Sequence, residues 1–126
     1  MDKKLLDIVK ALYCVKWENL PAAAETLLSL EQAVKYTPIL IQQRGWRERV
    51  TAAKLISSFK LHQFINDLIG TFSISPENYT CSAFVRLINS IEVENPKRLL
   101  QKMIDSCSND EYGDHLKRVI KDSPKY

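Results

Sequence analysis

A pattern that recurs about every 30 residues constrains the fold of this chain more than any other feature. The pattern is clearest between Trp46 and Phe72. A shift of 29 residues aligns WENLPAAAETLLSL (17–30) with WRERVTAAKLISSF (46–59). A shift of 32 residues aligns the end of the same segment, KLISSF, with RLINSI (86–91). Such self-similarity is typical of stacked helical hairpins, in which each unit buries its apolar face against the next.

The spacing of apolar residues predicts helices throughout the chain and no strand. Two apolar stripes share the spacing i, i+1, i+4, i+5, i+8, which places their residues on one face of a helix. Their members are Phe64, Ile65, Leu68, Ile69 and Phe72 in the first stripe and Leu99, Leu100, Met103, Ile104 and Cys107 in the second. We therefore predict an all-α fold: a right-handed α-solenoid-like stack of about seven to eight short antiparallel helices, or a compact helical bundle.

The chain is predicted to form a single domain, with boundaries set by helix start and stop signals. Asp2 and the pairs Ser75-Pro76 and Asn95-Pro96 are typical of helix starts. Gly45 and Gly70 are predicted to end helices, with Gly45 adopting a positive φ. Pro38 predicts a late start or a kink in the helix at about 33–43. The expected units of residues 1–126 are an N-terminal capping helix (1–16), hairpins 17–44, 45–74 and 75–107, a C-terminal helix (108–122) and a frayed tail (123–126).

The composition predicts a soluble intracellular protein, cytoplasmic or nuclear, without a cofactor. Hydrophobic residues make up 45% and charged residues 26% of the chain, which is enough apolar material for a packed core. The N-terminal segment is too short and too amphipathic for a signal peptide or a membrane span. Cys14, Cys81 and Cys107 are expected to be reduced thiols buried on apolar helix faces.

A basic segment within the clearest repeat is the first candidate site. Its members are Arg44, Arg47, Arg49, Lys54 and Lys60, opposed only by Glu48. These side chains either contact an acidic partner or form an ordinary solvated helix face. Trp46 is either an exposed binding anchor or, because Trp17 occupies the equivalent repeat position, a structural wedge. A second basic spot comprises Lys97, Arg98 and Lys102, on the polar face of a later helix.

The segment WRERVTAAKLISSF, followed by a second apolar helix, resembles a HEAT or armadillo-type repeat. The resemblance implies stacked helix pairs with a ridge or groove for protein partners, although the spacing here is shorter than that family's usual period. Trp46, Arg49 and Ala52 also resemble the first helix of tubulin-binding TOG-type domains, in which the tryptophan lies on the binding edge. A further likeness, carried by Gly45, Val50 and Asp67-Leu68-Ile69, is to the N-terminal helical domain of elongation factor TFIIS and related integrase-binding chromatin proteins.

No grouping of catalytic residues appears in the sequence, so we do not expect an enzyme. Asp110, Glu111, Asp114 and His115 are better explained as first-turn acids of a helix than as metal ligands. The leading hypothesis is a protein-interaction scaffold or adaptor that binds a protein or peptide of acidic character through Arg44, Trp46, Arg47, Arg49, Lys97, Arg98 and Lys102. The alternatives are a nucleic-acid or chromatin-associated module that uses the basic segment 44–60, and a microtubule-binding module. The oligomeric state is left open.

Overall fold

A computed structural model describes residues 2–43, 45–74, 78–92, 95–106, 114, 117 and 118, except the side chains of residues 73, 74, 78 and 106. These residues contain helices and no strand, which confirms the all-α prediction. The helices are α1 (Lys3–Leu12), α2 (Ala22–Leu27), α3 (Leu30–Ile41), α4 (Trp46–Phe59), α5 (Ile65–Ile74), α6 (Asn78–Ser90) and α7 (Pro96–Ser106), with 3₁₀ turns at Trp17–Asn19 and His62–Phe64.

The predicted eighth helix falls mostly outside the described residues. Of that segment, Asp114, Lys117 and Arg118 are helical. Cys107, Asp110, Glu111 and His115 lie outside the described part of the chain, as do Ser75 and Pro76, the predicted start signal for α6. None of the helices in the described residues has the length and the apolar character needed to cross a bilayer.

Side-chain caps determine where three helices begin. Asp2 accepts a hydrogen bond from the Lys4 amide at 3.0 Å, and Asn95 accepts one from the Arg98 amide at 3.2 Å, which confirms both predicted starts. The predicted start of α3 near residue 33 was wrong. Ser29 and Gln32 form a capping box, each side chain accepting from the other residue's amide, and α3 therefore begins at Leu30. Pro38 lies inside this helix, which continues to Ile41.

Both glycine predictions were wrong. Gly45 precedes α4 with a φ of −72°, so it is the N-cap of that helix and has no positive φ. Gly70 lies inside α5, which continues to Ile74, and Phe72 in this last part of the helix is fully buried. Among the described residues, Lys60 has left-handed backbone, at φ 55° and ψ 48°, and its amide caps the end of α4.

Helix α4 is the centre of the fold. It packs against α1, α2, α3, α5 and α6. All eight residues from Arg49 to Ile56 are buried, which is more than two full turns of helix. Of the basic residues between 47 and 60, Arg49 and Lys54 are buried among the neighbouring helices, whereas Arg47 and Lys60 are exposed.

Helices α2 to α7, including α4, form two rows. Helices α2, α4 and α6 are neighbours in one row, and α3, α5 and α7 are neighbours in the other. The two predicted apolar stripes contribute Ile65, Leu68, Ile69, Phe72, Leu99, Leu100 and Met103 to the core between them. Other buried core residues include Leu5, Ile8, Leu12, Leu40, Phe84, Leu87 and Ile88, whereas Leu6, Ile39 and Tyr79 are exposed.

Candidate functional site

Lys54 ties the end of α1 to the middle of α4. The side chain is 3% exposed, and its ammonium donates hydrogen bonds to the carbonyls of Leu12, Tyr13 and Val15 at 2.9, 2.8 and 2.5 Å. A helix leaves its last carbonyls without intrahelical donors, and a cation there also suits the negative end of the helix dipole. Lys54 therefore caps α1 from another helix and holds Tyr13 beside α4.

An aromatic cleft of about 170 Å³ opens next to this cap. It lies between the end of α1, the following 3₁₀ turn, α4 and α6. Its aromatic rings are those of Tyr13, Trp17, Trp46 and Tyr79; its cations are Lys54 and Arg86; and Val50, Ser82 and Ala83 complete the lining. Residues from three separate segments of the chain therefore meet in this cleft.

The rings of the aromatic cleft contact one another in defined geometries. Tyr79 stacks on Trp46, with ring centroids 4.5 Å apart and planes 23° apart. Tyr13 meets Trp46 edge-on, with centroids 6.0 Å apart. The Arg47 guanidinium carbon lies 4.6 Å from the centroid of Trp46 and 5.5 Å from that of Tyr13, within the range of cation–π attraction. Tyr79 is 63% exposed, so the aromatic cluster reaches the surface.

The electrostatics of the aromatic cleft are positive. Lys54 and Arg86 line it, Arg47 lies on its rings, and no acidic side chain is among the described residues that line it. Burial lowers the pKa of Lys54 below its usual value of 10.5; Cys14 acts in the opposite direction, and the charge of Arg86 lowers the pKa further. Aromatic rings can bind a quaternary ammonium ligand, but here the nearby cations would repel its positive charge. The cleft therefore suits a ligand that carries an anionic group next to a flat or apolar group.

The structure divides the predicted site residues among several environments. Trp46 and Arg47 belong to the aromatic cleft. Arg49 is 2% exposed and Lys54 is 3% exposed, so neither contributes to a solvated basic edge. Lys60 is exposed at the end of α4. Arg44 lies outside the described residues.

A second cleft of about 430 Å³ contains most of the other predicted basic spot. It separates α5 and its preceding 3₁₀ turn from α7. We call it the basic cleft; its polar residues are His62, Asn66, Asn95, Arg98 and Lys102, and its apolar residues are Ile65 and Leu99. Lys97 is exposed on α7 but is not among the lining residues. The polar faces of α5 and α7 thus meet along one side of the molecule.

Tyr13, Tyr79 and Arg86 are among the aromatic-cleft residues that were missed as site residues. The repeat contained a signal for one of them, since the 32-residue shift that aligns 54–59 with 86–91 places Arg86 on Lys54. Tyr13 and Tyr79 each fit an apolar helix stripe, so the local pattern did not single them out as site residues. Cys14 was expected to be buried and is exposed, whereas Cys81 is buried as predicted.

No group of three or more potential metal ligands occurs among the residues that the structure describes. Comparisons of the chain with protein-family models, with curated proteins and with solved structures found no match. The functional interpretation therefore rests on the two clefts and their chemistry.

Proposed function

We propose that this chain is a protein-interaction domain that binds an acidic peptide segment of a partner at the aromatic cleft. The observation that carries the proposal is the exposed Tyr79 ring, which stacks on Trp46 beside Arg47 and near Arg86. Tryptophan, tyrosine and arginine are the residues most enriched among those that dominate binding energy at protein interfaces. In this chain tryptophan, tyrosine and arginine side chains all lie at the aromatic cleft.

The charges indicate what the partner segment carries. A carboxylate beside Arg86 or Arg47 would form a charge-assisted hydrogen bond, which is about twice as strong as a neutral one. An apolar or aromatic side chain next to that carboxylate would pack against the rings of Tyr79 and Tyr13. The small volume of the cleft suits one or two side chains, so the remaining affinity would come from the surrounding surface.

The arrangement of helices supports the solenoid hypothesis within this proposal. Rows α2–α4–α6 and α3–α5–α7 are the neighbours expected when helical hairpins stack side by side. Trp17 and Trp46 occupy equivalent repeat positions and line the same cleft, as adjacent repeats would bring about. A HEAT-like scaffold, and a microtubule-binding domain as one form of it, remain predictions within the proposed protein-interaction function.

A second candidate function is binding of single-stranded nucleic acid. Interleaved aromatic rings and arginines at a surface are what stacked bases and phosphates require, and the aromatic cleft has both. This candidate ranks second because sequence-independent binding needs a basic groove that follows several nucleotides. The net charge of the chain is only +3, with 18 basic and 15 acidic residues.

Selection of peptides from a displayed library, followed by calorimetry, tests the leading proposal. We expect selected peptides to combine Asp or Glu with an apolar or aromatic residue. Tyr79→Ala and Arg86→Glu should each weaken the binding of a selected peptide by about tenfold or more. Lys35→Glu is the matched control, because Lys35 is exposed on α3 and does not line the cleft.

The same calorimetry with oligothymidylate separates the two candidates. Tight binding of the oligonucleotide that falls steeply with salt, together with no selected peptide, would replace the leading proposal by the second. Peptide binding that is equally weakened by Lys35→Glu and Arg86→Glu would mean that overall charge, and not the aromatic cleft, attracts the peptide.

A further inference from the structure

The basic cleft between α5 and α7 combines a sizeable volume with a mostly polar lining that includes two cations and two carboxamides. Its volume of about 430 Å³ lies in the range of small-molecule sites. Arg98 and Lys102 supply positive charge, and Asn66 and Asn95 supply carboxamides. No carboxylate is among the described residues that line it, and the ring among them is the imidazole of His62.

Local hydrogen bonds orient two of these groups. Asn95 uses its side-chain oxygen to accept from the Arg98 amide, so its NH₂ group remains as a donor. The Nδ1 atom of His62 lies 2.9 Å from the Lys60 carbonyl oxygen, which only accepts, so Nδ1 carries the proton of that bond. Asn95 also precedes α7 as its N-cap, so the positive end of the helix dipole lies at this end of the cleft.

We propose that the basic cleft binds a phosphomonoester group. Such a group carries up to two negative charges and three acceptor oxygens, which match the Arg98 and Lys102 cations and the amide donors of Asn66 and Asn95. Ile65 and Leu99 form the apolar part of the lining, against which the carbon atoms next to the ester oxygen pack. The site is independent of the aromatic cleft, since the two share no lining residue.

A phosphomonoester reaches such a cleft either on a small molecule or on a phosphorylated side chain of a protein. The volume exceeds what a single phosphate needs, so both sources are compatible with it. Glycerol 3-phosphate represents the first source, and a short peptide with one phosphoserine represents the second. Glycerol and the unphosphorylated peptide are the corresponding controls.

NMR titration of the ¹⁵N-labelled chain tests the proposal. We expect saturable shifts of the Asn66 and Asn95 side-chain amide signals with at least one phosphate compound and with neither control compound. Arg98→Gln should weaken this binding by about tenfold or more, because it removes a charge-assisted contact. Lys97→Gln removes the same charge from the adjacent residue of α7, outside the lining, and should change the affinity by less than about twofold.

Three results would overturn the proposal. The first is the absence of saturable shifts with both phosphate compounds. The second is equal weakening by Arg98→Gln and Lys97→Gln, which would mean that the anion responds to net charge alone. The third is a titration that shifts signals around the aromatic cleft and leaves Asn66 and Asn95 unchanged. Whichever phosphate compound binds with the higher affinity, glycerol 3-phosphate or the phosphoserine peptide, identifies the source of the phosphomonoester group.

Discussion

The tie between Lys54 and the end of α1 gives a sharp test of how this fold is held together. Replacing Lys54 by methionine keeps the length and much of the volume of the side chain but removes the ammonium. The carbonyls of Tyr13 and Val15 then lose this donor, and the carbonyl of Leu12 keeps only its hydrogen bond from the Val15 amide. Because α4 lies at the centre of the fold, the chain has little freedom to bring another donor to them.

The expected size follows from two opposing effects. Hydrogen bonds from a charged donor contribute about 1.5–3 kcal/mol each, so three of them amount to roughly 6 kcal/mol. Removing a buried ammonium also relieves several kcal/mol of desolvation, which offsets about half of that loss. We therefore expect Lys54→Met to lower the free energy of unfolding by about 3 kcal/mol, a large part of the stability of a domain of this size.

Urea denaturation followed by circular dichroism at 222 nm measures this change. Lys16→Met is the matched control, because Lys16 is exposed in the connection that follows Val15 and should change the unfolding free energy by less than about 0.5 kcal/mol. Hydrogen exchange should also accelerate in α1 before the rest of the chain, since α1 loses its cap. A loss below about 1 kcal/mol for Lys54→Met would refute the reasoning that this lysine anchors α1.

Three further predictions concern Lys54, Lys60 and Gly70. Burial lowers the pKa of Lys54, so the folded chain holds this proton less tightly than the unfolded chain and the unfolding free energy rises with pH up to the unfolded pKa near 10.4. The stability difference between the wild type and Lys54→Met should therefore widen from pH 8 to pH 10 in urea titrations; a narrowing difference would contradict the lowered pKa. Gly70→Ala should raise the unfolding free energy by about 0.5–1 kcal/mol, because a Cβ at this helical position meets nothing within 4 Å; thermal unfolding checks this, and any destabilisation would argue against α5 continuing through residue 70. Lys60→Gly should stabilise by about 0.5–1 kcal/mol, because φ 55° costs a lysine energy that glycine does not incur; an unchanged or lower melting temperature would count against the left-handed cap.

The sequence predicted the class of fold because helix periodicity is a local property. The i, i+4 stripes of α5 and α7 placed Leu68 and Met103 on apolar helix faces, and both are buried. The starts at Asp2 and Asn95 were also readable, since a cap depends on a few neighbouring residues. Gly45 and Gly70 misled because a glycine permits a helix end without requiring one, and packing of neighbouring residues decided the outcome.

The candidate site was only partly predictable because tertiary packing assembles it. Basic residues close in the sequence were assigned to one edge, yet Arg47 lies on the aromatic cleft whereas Arg49 is buried. Lys54 had a readable signal, since it lies four residues after Val50, in phase with an apolar stripe, where a lysine needs a buried partner. Those partners, the carbonyls that end α1, could not be inferred from local pattern because they lie about 40 residues away.

The position of the tryptophans has a practical consequence for spectroscopy. The chain has two tryptophans, Trp17 and Trp46, and both line the aromatic cleft. Indole emission depends on the polarity and the quenching groups around the ring, and the tryptophan fluorescence of the unlabelled protein originates from this one place. A ligand that enters the aromatic cleft should change both the intensity and the wavelength of emission, whereas one that fills the basic cleft should leave the spectrum unchanged. The natural sequence therefore carries its own optical probe, which distinguishes occupancy of one cleft from occupancy of the other.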